Sequence, residues 1–298
     1  MTRGAALGLL TALTACGAAP APLDTPARAE PQSPAPAASA PDAGAAVSAP
    51  APRSLEPGLT PRCGPSMSLV WRAHGAYCID RWEASIELVT PGEAPRRHPG
   101  NQRVAGLESR VVAVSVASRK PQGYISGAQA QVACQRAGKR LCEIDEWVTA
   151  CRGPARTIYP YGDRRRPNVC NDRFRTLDNH PVVRLFKKHA PPDEDPLEMW
   201  HPRWMNDPRL HEMTHSVFPT GAFAQCTNAY GVFDMVGNLH EWVADPDGVF
   251  FGGYLMDTYQ NGEGCDYRTI FHPFDYHDYS TGFRCCADAT WDSSSPEL

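Results

Sequence analysis

The chain has 298 residues, with 29 Lys or Arg against 33 Asp or Glu and a formal net charge of -4. This acidic balance, without an extended basic run, argues against nucleic acid as a partner. Eleven cysteines are present, but no paired C-x2-C units occur, which excludes a zinc finger.

The N-terminal residues 1–16 have the features of an export signal. Arg3 supplies a positive charge, and residues 5–13 form an apolar run that suits a signal-peptide core and is too short for a permanent membrane span. The run ends in LTAC (residues 13–16), which resembles the lipobox of bacterial lipoproteins. The resemblance implies that Cys16 is acylated and begins the mature chain. The alternative is an ordinary secretory signal in which Cys16 has no role.

Residues 17–60 are mostly Ala, Pro and Ser, with too few large apolar residues to offset the entropy of ordering. They predict a disordered tether, which at about 3.1 Å per residue reaches on the order of 100 Å. We therefore expect a protein of the bacterial cell envelope. Its partner would be a membrane, bound through the lipid on Cys16, with the domain at the outer membrane or facing the periplasm.

Residues 61–298 are long enough for one large domain. Two strands are predicted near its start. The stretch GAYCIDRWEASIELV (residues 75–89) alternates in polarity, and SRVVAVSVAS (residues 109–118) is rich in valine.

Two helices are predicted next. In residues 125–141, Ser126 is a suitable N-cap and Gly138 stands at the C-terminal end. In residues 143–153, Ile144, Trp147 and Val148 have helical spacing.

Residues 164–225 show little periodicity and contain several prolines, so that no regular element is predicted there. Within them, HEMTH (residues 211–215) matches the H-E-x-x-H signature of zinc metalloproteases. Such a site needs His211 and His215 on one face of a helix beside Glu212, yet Pro208 and Pro219 leave room for only about two and a half turns. We expect a solvated loop, with a zinc metalloprotease as the alternative.

Six motifs occur in an order that resembles the formylglycine-generating-enzyme (sulfatase-modifying factor) domain family. They are YCIDRWEAS, ACQRAGKRLCEIDEWVTACRG, YPYGD, NAYGVFDMVGNLHEWV, FFGGYL and GFRCC, between Cys78 and Cys286. The resemblance implies a single α+β domain with an irregular, loop-rich fold related to C-type lectins and stapled by disulfides.

The main enzyme of that family oxidises a sulfatase cysteine to formylglycine with copper held by two cysteines. These cysteines follow the Gly-Gly that matches Gly252-Gly253. Here the segment reads GGYLMDTYQNGEGCDYRT, with Asp257 at the first position and Asn261 near the second. Because Cu(I) prefers thiolate ligands, the resemblance implies that this chain does not form formylglycine by the family's mechanism.

Ten cysteines remain after Cys16, an even number that indicates disulfides in an oxidising compartment. The resemblance implies the pairs Cys134–Cys285 and Cys151–Cys265. Cys63 and Cys78 are close enough in sequence to close a short loop. The remaining pairs are Cys170–Cys226 and Cys142–Cys286, unless some of these four are free thiols.

The resemblance also implies calcium, held by asparagine side chains and main-chain carbonyls, ligands that suit a hard cation. The first set is Asn238, Leu239 (carbonyl) and Glu241; the second is Asn168 and Val169 (carbonyl), with Asn171 and Asp172 nearby. The alternative is that Asn238 only caps a turn.

Histidines and carboxylates gather in the C-terminal segment. Asp257, His272 and His277 have the composition of a site for a transition metal such as iron or copper, or of a general acid–base pair. Further candidates for the lining of the same cleft are His240, Tyr259, Asn261, Arg268 and Asp278. The alternative is that these groups only bond to loop backbone.

Two functions follow for this domain: a non-heme-metal oxidoreductase-like enzyme with an altered active site, or a non-catalytic module that binds a peptide, glycan or protein at the envelope.

Overall fold

The computed structural model describes residues 59–73, 75–172, 179–255, 258, 261–270 and 272–292. In these ranges the chain forms thirteen short strands and four α-helices. All of these residues belong to one compact unit, Pro50–Leu298. The predicted signal, most of the tether, Cys16, Asp257 and Tyr259 lie outside the described residues.

The strands are β1 Thr60–Arg62, β2 Met67–Arg72, β3 Gly75–Asp80, β4 Ala84–Leu88, β5 Arg96–Arg97, β6 Val111–Ser115, β7 Arg140–Leu141, β8 His240–Trp242, β9 Phe250–Phe251, β10 Arg268–Thr269, β11 Thr281–Phe283, β12 Cys285–Asp288 and β13 Thr290–Asp292. They form four small sheets, ordered β1-β13, β10-β9-β8-β11, β2-β3-β12-β7 and β5-β4-β6. Only β8 and β11 pair in parallel among the described strands.

The helices are α1 Gly127–Arg136, α2 Ile144–Arg152, α3 Pro181–His189 and α4 Pro202–Met205, with 3₁₀ helices at Pro196–Trp200, Pro208–Glu212 and Gly264–Asp266. None of the helices in the described ranges is long and apolar enough to cross a membrane. The fold is α+β and loop-rich, as expected.

The two predicted helices are confirmed. Ser126 caps α1 and forms a reciprocal capping box with Gln129, while Gly138 follows the last turn with a φ of 70°. In α2, Trp147 is buried, but Ile144 is exposed despite its helical spacing.

The stretch predicted as one strand, residues 75–89, is split into β3 and β4, which belong to different sheets. The break at residues 81–83 turns the carboxylate of Glu83 into the interior, where it accepts hydrogen bonds from Asn238 and from the main chain of Leu239. A strand that alternates in polarity is thus interrupted to place one buried acid. The second predicted strand is confirmed as β6.

The prediction of irregular structure over residues 164–225 is wrong for residues 181–212. Each helix between residues 181 and 212 begins with a proline, and the residue before it caps the helix by accepting an N–H hydrogen bond. The four caps are His180, Asp195, His201 and Asp207. Proline fits the first helical position because its missing N–H would be unpaired there anyway. These prolines therefore start helices and do not break them.

The five predicted disulfides all form. They are Cys63–Cys78, Cys134–Cys285, Cys142–Cys286, Cys151–Cys265 and Cys170–Cys226. Two of them attach α1 and the start of α2 to adjacent residues of β12, and a third joins the end of α2 to the 3₁₀ helix at Gly264–Asp266. The bridges thus tie the helices to the C-terminal segment.

Candidate functional site

The two residues that follow Gly252-Gly253 pack against residues 180–217, which we call the middle segment. Tyr254 and Leu255 are buried in one hydrophobic cluster with apolar side chains of the middle segment. Those side chains are Val182, Leu185, Phe186, Trp204, Leu210 and Val217. The two residues directly after Gly252-Gly253 are therefore covered by the middle segment, whereas Asn261 is exposed.

Tyr279 holds the middle segment in place through three hydrogen bonds. Its N–H donates to the carbonyl of Met205 (3.0 Å), and its carbonyl accepts from Nε2 of His211 (2.5 Å). His180 accepts the N–H of Val182 at Nδ1, so its Nε2 carries the proton and donates to the Tyr279 hydroxyl at 3.0 Å. Both histidines thus have packing and bonding roles.

His211 corrects the expectation for HEMTH, because it is buried and not part of a solvated loop. Its ring lies 4.7 Å from that of Tyr124, and burial lowers its pKa to about 4. The 3₁₀ helix ends at Glu212, so His215 does not share a helix face with His211. Within the described ranges, no three His, Cys, Asp or Glu side chains converge as a metal-binding group.

Of the predicted catalytic set, only the histidines are described. His272 is half-buried and stacks on Phe250 and Tyr276, at 5.3 and 4.3 Å between ring centroids, and desolvation lowers its pKa. His277 is also half-buried, while Asn261 and Arg268 are exposed and joined by a main-chain hydrogen bond of 3.1 Å.

A chain of hydrogen bonds joins two of the predicted cleft residues. The Ser280 hydroxyl donates to Oδ1 of Asp278 (2.7 Å), which leaves it to accept from Nδ1 of His240 (3.2 Å). Nε2 of His240 is then the acceptor for the Tyr267 hydroxyl at 3.3 Å. Such a chain is able to pass a proton between Asp278 and Tyr267. No periodicity or spacing in the sequence marks Ser280 or Tyr267 as functional residues.

Asn238 of the first set predicted for calcium lies in a buried polar centre, where it contacts Asn171 near the second set. Oδ1 of Asn238 accepts from Nδ2 of Asn171 (2.9 Å) and from the N–H of Phe218 (2.9 Å). Glu241 is engaged differently, since both of its oxygens accept from Arg284 at 2.6 Å and one also accepts from Trp147. Glu241 therefore serves an ion pair, and Asn238 bonds to neighbouring loops.

Negative charge is in excess at this centre. The buried carboxylates of Glu83, Asp234 and Glu241 face the single guanidinium of Arg284. Desolvation and the neighbouring acids raise the pKa of Glu83 well above its usual value, and desolvation raises that of Asp234 to about 7. Uncompensated buried charge is costly, so protonation or a bound cation must relieve it.

Unpaired oxygens lie next to this centre. Oδ1 of Asn171 and Oδ1 of Asp172 are buried and have no hydrogen-bond partner among the described residues. The predicted ligand Asn168 is exposed, whereas Val169 is buried. A hard cation prefers such oxygens, so Asn171 and Asp172 fit calcium better than Asn168 does.

The profile of the family described as sulfatase-modifying factor enzyme 1-like domain matches residues 96–289. A bovine protein named inactive C-alpha-formylglycine-generating enzyme 2 is 27% identical over 180 residues, which cover 57% of this chain and 50% of that protein. The mouse protein of the same name is 26% identical over 180 residues, 57% of this chain and 49% of its own. The chain thus spans about half the length of these relatives.

Among solved structures, that of PvdO from Pseudomonas aeruginosa aligns with a TM-score of 0.38 and 14% identity, covering 72% of this chain and 81% of PvdO. CarF aligns with a TM-score of 0.36 and 14% identity, over 75% of this chain and 96% of CarF.

Proposed function

Because this chain belongs to the family of sulfatase-modifying factor enzyme 1-like domains, we propose that it is a non-catalytic member that binds a ligand at the bacterial cell envelope. The cysteines carry this proposal. Eleven are present, and ten of them are consumed by the five disulfides. Only Cys16 is left, so the domain has no pair of thiolates to hold Cu(I).

The position of the middle segment supports the same conclusion. It covers Tyr254 and Leu255 and is held at Tyr279, so a substrate peptide would have to displace it to reach these two residues. The lipobox-like residues 13–16 and the tether support attachment to an envelope membrane, where a binding module would be held within reach of its ligand.

The test is an assay of the full chain with copper and a peptide that carries the sulfatase cysteine. We expect the cysteine of the peptide to stay unconverted, with no change in the mass of the peptide, and no copper to remain bound to the chain after dialysis. An active enzyme of the family, assayed in parallel, converts the peptide. Conversion by this chain would overturn the proposal. Radiolabelled palmitate, with and without Cys16→Ser, tests the anchor separately.

We also propose that the buried polar centre holds calcium as a structural ion. Asn171 and Asp172 would supply oxygens, and the excess negative charge of Glu83 and Asp234 would favour a divalent cation nearby. The ion would fix the loops that meet at Asn238, and it takes no part in a reaction.

The hydrogen-bonded chain from Asp278 to Tyr267 favours a second candidate, an acid–base or metal-assisted enzyme that uses His272, His277 and Asp257. Elemental analysis of the full chain, before and after His272→Ala, separates the two. Stoichiometric iron or copper that is lost in the variant would favour the enzyme, and calcium alone favours the binding module.

A further inference from the structure

A cavity of about 700 Å³ opens between the end of strand β2 and the C-terminal end of helix α2, away from the residues discussed so far. Its volume is in the range of small-molecule sites. The side chains that matter for its chemistry are Trp71, Arg72, Thr149, Arg152, Arg156 and Tyr230.

Two aromatic side chains form part of its wall. The indole of Trp71 is 45% exposed, although its edge packs on Trp291 with 6.4 Å between ring centroids. Tyr230 is fixed by its N–H bond to Asn228 (2.9 Å), and the same amide donates to the last carbonyls of α2. The ring of Trp71 and the main chain of Tyr230 are thus held before any ligand arrives, which lowers the entropy lost on binding.

The charged groups of this cavity are partly paired. Arg72 forms ion pairs with Glu143 and Asp145, at 3.1 and 3.2 Å. Arg152 donates to Asp266 through Nη2. By contrast, Nε of Arg152 is a buried donor without a partner. Arg156 is exposed and has no acidic partner among the described side chains. Arg156 is therefore the guanidinium of the cavity that is left without an acidic partner, while the carboxylate of Asp145, which also lines the cavity, is engaged by Arg72.

The uncharged polar groups of the cavity are one indole N–H and two hydroxyls. Within the described ranges, no protein group bonds to the indole N–H of Trp71 or to the hydroxyls of Thr149 and Tyr230. Indole and guanidinium groups only donate, whereas hydroxyls both donate and accept. The complementary ligand is rich in acceptors, carries a negative charge and has a flat apolar face for the indole.

We propose that this cavity binds an acidic saccharide, which deepens the binding role proposed above and rests on it. The sugar ring lies against Trp71, since aromatic side chains combine apolar area with a polar edge. Its carboxylate pairs with Arg156, whose planar fork matches two carboxylate oxygens. Its hydroxyls bond to Thr149 and Tyr230, which donate and accept as sugar hydroxyls do.

The test is calorimetric titration of the full chain with a trimer of galacturonic acid, compared with a neutral galactose trimer and with triglutamate. We expect the acidic trimer to bind at least tenfold more tightly than either of the others. Arg156→Gln should weaken the acidic trimer about tenfold and leave the neutral one unchanged, whereas Trp71→Ala should weaken both.

Arg96→Gln is the matched control, because Arg96 is an exposed arginine on β5 that does not line the cavity. The two arginine variants should keep the unfolding midpoint of the parent, because both side chains are exposed; Trp71→Ala also loses the ring contact with Trp291, so its binding is measured at a temperature where the variant is folded.

The saccharide proposal would be overturned by any of three results: no binding of the acidic trimer, equally tight binding of triglutamate, or an affinity that neither cavity substitution changes. If the peptide assay still gives no formylglycine, the binding role stands with another ligand. If formylglycine forms, the binding role itself fails whatever the titration shows.

Discussion

At Tyr279, the main-chain N–H, the main-chain carbonyl and the hydroxyl each bond to a different residue of the middle segment. The bond to His211 has a particular consequence because this histidine is buried in neutral form. Lys120, which donates to the His211 carbonyl, adds a positive charge that also disfavours the imidazolium. The middle segment is therefore held by a group that resists protonation until the pH approaches 4.

This predicts a pH-dependent loss of stability. In the unfolded chain His211 has a pKa of about 6.5, so between pH 6.5 and 4 the unfolded state binds a proton that the folded state does not. The contribution of His211 to the free energy of unfolding is therefore complete above about pH 6.5. It decreases as the pH falls towards 4, by about 3 kcal/mol in total. Urea unfolding at pH 7.0 and 4.5 measures it.

The comparison variant is His211→Ala, in which this part of the pH dependence should disappear. Asp234 has the opposite sign, because its raised pKa makes the folded state bind more protons below pH 7. The difference between parent and variant therefore reports His211 alone. The exposed control variant His189→Ala should keep the pH dependence of the parent. If His211→Ala also kept it, or if His189→Ala lost it, the effect would not belong to His211.

At the scale of elements, the sequence predicted best where local and tertiary signals agree. Helix α1 has a capping box and one small-residue face, and the disulfides followed from resemblance and proximity. The helices of the middle segment were not predicted, because proline commonly ends a helix. Here each proline occupies the first helical position, after a capping side chain. The interruption between β3 and β4 could not be predicted locally, because the residues that bond to Glu83 lie more than 150 residues away along the chain.

The candidate site was predicted less well than the fold. His240 and Asp278 were singled out by residue type, and their link through Ser280 depends on the register of β8 beside β11. No periodicity in the sequence specifies that register. The buried role of His211 was missed for the same reason, because its partner carbonyl is that of Tyr279, in a distant loop.

The capped starts in the middle segment can be tested at Asp207. Its Oδ1 accepts the N–H of Arg209 at 2.9 Å, and Arg209 also lowers the pKa of this carboxyl. Asp207→Ala should destabilise the protein by about 1 kcal/mol. Asp193→Ala, at an exposed aspartate that caps no helix, should change the urea midpoint little. Equal effects of the two substitutions would contradict a capping role.

The proposed calcium ion would act where several loops meet. Added calcium should raise the unfolding midpoint and a chelator should lower it, since an ion that binds only the folded state stabilises by about 2.7 kcal/mol at a hundred times its Kd. Asp172→Asn should remove this response, while exposed Asp247→Asn should keep it. A midpoint that does not respond to calcium in the parent would exclude the site.

For the whole molecule, stability depends on long-range closure, because the described sheets have two to four strands and many connections are irregular. Cys151–Cys265 joins residues 114 apart, and Cys63–Cys78 residues only 15 apart. In the chain-entropy view, the larger loop restricts the unfolded state more, by about 1.8 kcal/mol. Cys151 and Cys265 are also fully buried, whereas Cys63 is partly exposed.

Replacing Cys151 and Cys265 together by alanine should therefore destabilise the domain more than replacing Cys63 and Cys78. We expect about 5 kcal/mol for the first pair and about 3 kcal/mol or less for the second, measured by urea unfolding under non-reducing conditions. The short bridge lies beside β2 and β3, which also pair along their whole length, so that its loss leaves other contacts to hold the same strands. The long bridge joins α2 to the C-terminal segment, and its loss would free both. A larger effect from the short bridge would mean that strain or unfolded-state structure outweighs loop length.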